Sequence, residues 1–319
     1  MSNNPESFIV RSEGGLGAQI VAASAYYFLK SIGCKVLMDL GYFEYPYRQA
    51  EIGKPQVTHW DWKLDYYGIK KSNLNWINLN RLRNYSKKTH KDVNEGLEIV
   101  NLNEALDAYS RAEGLEFNDY EINDKESSIT KDLREFSEQN PVIIHDGPNK
   151  SRLFINGMNE TVIKEKFSTN SIEWKSILKN NKIQFDNSVF LHLRRGDYLN
   201  VASHLISTDE ILKICYKLPK IFKNIVVFSD STESDNQKFV SELKKIFNNV
   251  KWLDGVDNLN AHKIMSEASF LICSNSQFST TAAYLGNGFS IIPQKYSTDK
   301  DYIFQYENNQ TSYALLNNI

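Results

Sequence analysis

The chain has 319 residues, 41% of them hydrophobic, with 15 Gly and 7 Pro, which is enough for roughly two domains and excludes disordered, collagen-like and low-complexity classes. Lys and Arg number 37 against 39 Asp and Glu, a formal charge of -2, which excludes a protein whose main task is gripping nucleic acid by bulk charge. An anionic ligand must therefore meet a local site.

In chain order, Phe8-Ile9-Val10 predicts a first strand, and a glycine turn, Gly14-Gly15-Leu16-Gly17, leads through Gln19 into a helix from Ile20 to Ser31. Gly33 suits its C-terminal cap. A strand over Lys35–Leu40 follows, and this order opens a parallel α/β layer. The turn lacks the third glycine of a GxGxxG dinucleotide fingerprint, yet Gly15 and Gly17 set backbone amides at a helix start. From Asn73 to Asn140 the apolar periodicity weakens and mixed charge rises, as in an insertion of loops and short helices or a solvated helical face. Val142–His145 reads as a strand, and Phe154–Asn181 as helix and connector, with a domain joint near Phe154.

The alternation then becomes regular. Strands are predicted at Ser188–Leu193, Ile225–Ser229, Val250–Leu253, Phe270–Cys273 and Phe289–Pro293, with helices at Thr208–Leu218, Asp235–Phe247, Asn260–Ala268 and Phe278–Leu285 between them. That is a doubly wound parallel sheet, whose ligands bind outside the carboxyl ends of the strands. The loops after Leu193, Ser229 and Cys273 should carry the chemistry. Two stacked α/β layers with a cleft between them are the expected architecture, and residues 296–319 form a C-terminal segment.

His192-Leu193-Arg194-Arg195-Gly196-Asp197-Tyr198 follows the first of these strands. Two adjacent guanidiniums supply planar forks of donors that match a diphosphate, while Asp197 can orient an arginine or accept a proton. A plain Arg–Asp salt bridge beside a tight turn is the competing reading. Ser229, Asp230 and the hydroxyls up to Ser234 follow the second strand, placed either to bond a ribose or base edge or to cap a helix starting near Asp235. Ser274, Ser276, Gln277, Phe278 and Ser279 join the buried strand to a helix of small residues, where amides and hydroxyls make an anion cradle or where Ser simply caps the helix.

Three widely spaced cysteines, Cys34, Cys215 and Cys273, form no CxxC pair and read as free thiols of a reducing compartment. The six histidines never fall at i, i+4 spacing, so no zinc site is expected. Asp299-Lys300-Asp301 formally makes a DxD but sits in a polar segment and reads as a solvated turn. Met1–Ser7 has no signal-peptide pattern and the apolar runs are too short to span a bilayer. A cytoplasmic location follows as the expectation.

Taken in order, the GGLG-x-Q turn, HLRRGDY, a strand ending in Ser229-Asp230, and SNSxFS-x-x-AAxL resemble the bacterial α-1,2-fucosyltransferases of glycosyltransferase family 11. More distant similarity extends to α-1,6- and protein O-fucosyltransferases. The resemblance implies a GT-B-like architecture of two Rossmann-like domains facing a cleft, the C-terminal one (155–295) holding GDP-fucose and the N-terminal one (1–154) facing the acceptor. It implies inversion at the anomeric carbon and no metal or other cofactor. Arg194, Arg195 and Asp197 would be catalytic, the arginines neutralising the diphosphate. His192, Ser229, Asp230, Ser274, Ser276, Gln277, Phe278, Ser279, Gly15, Gly17 and Gln19 would bind the donor. The acceptor would be a glycan hydroxyl of a surface polysaccharide or O-antigen repeat, with peripheral contact to the inner membrane through a lipid-linked acceptor. Ala18, Thr280-Thr281 and Asn260-Ala261-His262 depart from the family's usual residues. Another GDP- or UDP-sugar donor, or a nucleotide-sugar-binding protein without turnover, are the alternatives. Glu13, Asp39, Asp146 and Asp197 are the carboxylates placed to act as base.

Overall fold

The computed structural model describes residues 8–12, 14–31, 33–44, 61–77, 100–101, 142–144, 165, 167, 173–196, 199, 205–292, 307–308 and 311–315. The chain divides into two compact units, Met1–Thr169 and Asn170–Ile319, the first running past the joint expected near Phe154. Residues 146, 197, 198 and 299–301 lie outside the described residues, as does Glu13.

In the first unit, β1 (Phe8–Arg11), α1 (Leu16–Ser31) and β2 (Val36–Asp39) follow the expected order. Next come α2 (Gly41–Glu44), β3 (Trp76–Ile77), β4 (Val100–Asn101) and β5 (Val142–Ile144). The sheet runs β3-β2-β1-β5-β4 with every pair parallel. Helix α1 is rich in Ala and small residues, so it is buried on almost every side; Ile20, Ala22, Ala25 and Leu29 are fully inaccessible. It ends where Cys34 N–H bonds the Leu29 carbonyl at 3.0 Å around Gly33, whose φ of 88° is left-handed, the reason a glycine stands there. Two residues per strand explain why β3 and β4 escape the sequence pattern: no alternation can show in so short a run.

The second unit contains α3 (Glu173–Asn180), β6 (Ser188–Leu193), α4 (Thr208–Lys217), β7 (Asn224–Ser229) and α5 (Gln237–Ile246). It continues with β8 (Asn249–Trp252), α6 (Asn258–Ser266), β9 (Phe270–Ile272), α7 (Gln277–Leu285) and β10 (Phe289–Ile292). Short strands β11 (Glu307–Asn308) and β12 (Thr311–Leu315) complete it. The order is β11-β12-β10-β9-β6-β7-β8, parallel except for the β11–β12 pair. Leaving out β11, this is the doubly wound order, and the chain reverses its direction of winding between β6 and β9. The α/β class with parallel sheets is thus as expected, and β12 places part of the 296–319 segment inside the second sheet.

Burial of β6 at all six positions follows from its central place, since parallel strands covered on both faces read as unbroken apolar runs. Alternation still divides its faces. Val189, Leu191 and Leu193 join Ile211, Ile214 and Cys215 of α4 and Phe239, Val240 and Leu243 of α5 in one core. Phe190 stacks between Phe185 and Phe228, at 5.1 and 6.5 Å, and His192 lies 5.2 Å from the Phe278 ring of α7. Three helix starts carry side-chain caps: Ser207 and Glu210 form a capping box on α4, Asp257 caps α6 and Ser276 caps α7. Each cap contributes about 1 kcal/mol. At the opposite end, a Cβ on Gly288 would collide with the Ala268 carbonyl, so only glycine lets the α7–β10 turn close on the α6–β9 turn.

Candidate functional site

Two clusters form at the carboxyl ends of β6, β7 and β9. In the first, His192 and Ser274 meet across the switch point, Nδ1 to Oγ, at 2.6 Å. Ser274 Oγ lies 3.3 Å from Ser279 Oγ, and the Ser279 hydroxyl also approaches the Ser274 and Ser276 carbonyls. Ser276 accepts the Phe278 amide at 3.3 Å, so the serine plays the capping part that its sequence position allowed. Phe278 packs against two imidazoles, those of His192 and His262, each with ring centroids 5.2 Å away. His262 Nε2 is 2.9 Å from Thr281 Oγ1. Burial pushes His192 down to about 3, helped by the charge on Arg194, and burial likewise pushes His262 down to about 3, helped by His192 and Lys263. Both imidazoles are therefore neutral at ordinary pH.

The second cluster surrounds Asp230. Its Oδ1 accepts the Arg195 amide at 2.6 Å and its Oδ2 pairs with Arg194 Nε at 3.1 Å. One residue earlier, the Ser229 hydroxyl donates to the Leu193 carbonyl at 2.7 Å. The adjacent arginines diverge. Arg194 keeps the parity of His192 and leaves 27% of its side chain exposed. Arg195 keeps the parity of Leu193, is 7% exposed, and donates from Nη1 to the Ile206 carbonyl just before α4 at 2.7 Å. Burial lowers its pKa while the Asp230 carboxylate raises it. Among the described residues, Arg195 Nη2 and Asn275 Nδ2 are buried without a hydrogen-bond partner. Native interiors rarely tolerate such donors without a reason. Two of them lie at the ends of β6 and β9, a local surplus of donors.

The hydroxyls after Ser229 are largely satisfied locally. Ser231 Oγ lies 2.9 Å from Ser229 Oγ and accepts Asn236 Nδ2 at 2.9 Å, while Thr232 Oγ1 donates to Asp235 at 2.6 Å. The helix start expected at Asp235 is instead a short 3-10 turn, Ser234–Asn236, with α5 beginning at Gln237. Asp235 serves the turn by holding Thr232.

Gly15, Gly17 and Gln19 belong to the first unit. Gln19 is fully buried, and its amide is spent on the backbone: Nε2 donates to the Gly14 and Asp61 carbonyls at 3.0 and 2.9 Å, and Oε1 accepts the Lys63 amide at 2.8 Å. It staples the glycine turn to the 61–63 segment. Asp39 is inaccessible, paired with Arg11 Nε at 2.9 Å and accepting the Gly41 amide at 2.9 Å. A carboxylate so enclosed is not placed to deprotonate an acceptor, which corrects the expectation for Asp39.

No family model matches the chain. It is 37% identical over 122 residues to the alpha-1,2-colitosyltransferase of Escherichia coli. That match covers 35% of this chain and 41% of the enzyme, so the aligned segment spans less than half of the curated relative. The sequence motifs resemble α-1,2-fucosyltransferases, and the relative found is likewise an α-1,2-transferase, its name giving colitose as the sugar. Among solved structures, POFUT1 in complex with GDP-fucose is similar at 14% identity and a TM-score of 0.47, over 98% of both chains. NodZ alpha-1,6-fucosyltransferase co-crystallized with GDP is similar at 12% identity and a TM-score of 0.39, over 89% of this chain and 93% of that one.

His262 escaped the sequence reading as a site residue. It sits in a helix that also buries Asn260 and Ser266 among apolar residues, and nothing in spacing ties it to Phe278. Among the described residues, no three His, Cys, Asp or Glu gather as metal ligands, and no helix is long and apolar enough to cross a membrane.

Proposed function

We propose that the chain is an inverting glycosyltransferase that moves L-fucose from GDP-fucose to a glycan hydroxyl, forming an α-1,2 linkage without a metal. The observation that carries this reading is the donor surplus at the β6–β9 switch point, with the partly exposed Arg194 next to it in the chain. The acceptor oxygen attacks the anomeric carbon, the bond from that carbon to the diphosphate oxygen breaks, and configuration inverts. The acceptor proton passes to a carboxylate or water, and GDP departs carrying the negative charge. Preorganised arginines stabilise charge that develops on a leaving group more in the transition state than in the ground state. Arg194 supplies that charge directly, and Arg195 supports it from the buried side of the turn. Surface polysaccharide or O-antigen repeats on a lipid carrier are the proposed acceptors, reached by peripheral contact with the inner membrane from a cytoplasmic location.

The likeness to a colitosyltransferase supports a second reading in which the donor sugar is colitose, a deoxy relative of fucose, on the same nucleotide.

Nucleotide release measured over a panel of GDP- and UDP-sugars, with and without glycan acceptors, tests both. Transfer from GDP-fucose or GDP-colitose is expected, with Arg195→Ala losing more than about tenfold, equivalent to about 1.4 kcal/mol. Transfer from UDP-sugars alone overturns the donor assignment. GDP binding in calorimetry without transfer to any acceptor overturns the enzymatic reading.

A further inference from the structure

The end of β7 continues the parallel ladder into the β6 turn with side chains. The last backbone pair in register is Leu193 with Ser229. Beyond it, the Ser229 hydroxyl holds the Leu193 carbonyl, and both oxygens of Asp230 hold the next two residues, Oδ2 the Nε of Arg194 and Oδ1 the amide of Arg195. The third residue, Gly196, takes part by having no side chain: a Cβ there would sit 2.5 Å from Asp230 Oδ2. Three consecutive residues are thus organised by one carboxylate, and Ser229 and Asp230 come to them from a different strand.

Salt-bridging through Nε anchors a guanidinium on its stem side and restricts the directions its remaining donors can take. Both Asp230 oxygens are engaged with the turn, one on the Arg195 amide and one on Arg194 Nε, so the carboxylate holds both residues at once. We infer that Asp230 is a positioning residue, which sets the direction of the Arg194 guanidinium toward the leaving phosphate and does not itself contact the donor. This rests on the glycosyltransferase reading above and revises the expectation that Asp230 bonds a ribose or base.

A double-mutant cycle on the full chain tests it, with donor turnover and GDP affinity as separate readouts. Arg194→Ala is expected to lower kcat about a hundredfold, in line with loss of one transition-state donor. Asp230→Asn keeps an acceptor for the Arg195 amide but sets an uncharged group against Arg194, and should lower kcat at least about tenfold with a smaller change in donor KM. The double variant should match Arg194→Ala within about threefold, because a residue acting through Arg194 has nothing left to position. Multiplying losses, giving about a thousandfold, mean that Asp230 acts on the donor directly and overturn the inference. If Asp230→Asn does not fold, Gly196→Ala displaces the same carboxylate and must show the same non-additivity. If the wild type transfers no sugar, the glycosyltransferase reading falls, and the cycle on GDP affinity still decides: additive losses there, or no GDP binding, overturn the positioning role as well.

Discussion

His192 and Ser274 stand 82 residues apart in the chain and are joined by a 2.6 Å hydrogen bond at the one place where the second sheet reverses its winding. The bond ties the last turn of β6 to the segment that starts α7, and so couples the arginine turn to the serine-rich helix start. Because the imidazole is buried and neutral, its orientation depends on this hydroxyl rather than on charge.

Ser274→Ala is therefore expected to cost about 1–3 kcal/mol in urea unfolding, the penalty for leaving a buried ring nitrogen unpaired. Turnover should fall with it. Unchanged unfolding free energy in the variant would mean the bond contributes nothing.

Acid should destabilise the fold through the two buried histidines. Their folded pKa values lie near 3, below the unfolded value of about 6.5. Stability from the neutral rings is complete above about pH 6.5 and is lost as pH falls toward 3, because only the unfolded chain gains protons in that window. Each ring contributes a slope on the order of 1 kcal/mol per pH unit there. Denaturant titrations between pH 7 and 4 should give a shallower slope for His262→Leu than for the wild type, and equal slopes would refute the assignment.

The Arg11–Asp39 pair offers a test in the first unit. Both side chains are buried, at 7% and 0% exposure, so removing one partner strands a charge at a cost of about 3–5 kcal/mol. Asp39→Ala should lower the melting temperature sharply, and a variant that melts with the wild type would show the pair to be dispensable.

All three cysteines are buried and free. Burial pushes Cys215 up to about 12 and raises Cys273 above its ordinary range, so neither presents a thiolate at neutral pH. An aromatic disulfide reagent should label the native protein slowly, and label three thiols at once in denaturant. Rapid native labelling at Cys215 or Cys273 would contradict the packing around them.

Much of this was legible in the residues. The strands from Ser188 to Ile292 stand out because β-branched and aromatic runs alternate with helical patterns at regular spacing, and Ser188–Leu193 is found with the bounds its sequence predicts. Strand β12 was hidden because Thr311–Leu315 is short and mixed in polarity, reading as tail. The arginine turn was legible as a motif, but its carboxylate partner was not. The nearest acid in the chain is Asp197, whereas Asp230 reaches Arg194 through the register of β6 against β7, a quantity that chain spacing does not encode. Gln19 was read as the end of the glycine turn, yet its three backbone partners come from a segment more than 40 residues away and from the glycine turn itself.

Strand β6 is the first strand of the second sheet in chain order and ends in the sheet's interior, between β9 and β7. Its β7 edge is covered soon after, but the edge that receives Leu271 and Ile272 stays open until β7, β8 and the three helices α4, α5 and α6 have been made. For that interval an apolar strand presents unpaired amides and carbonyls, the surface on which foreign strands add. The arrangement that places the arginine turn at the switch point thus makes the nascent chain vulnerable at the same strand.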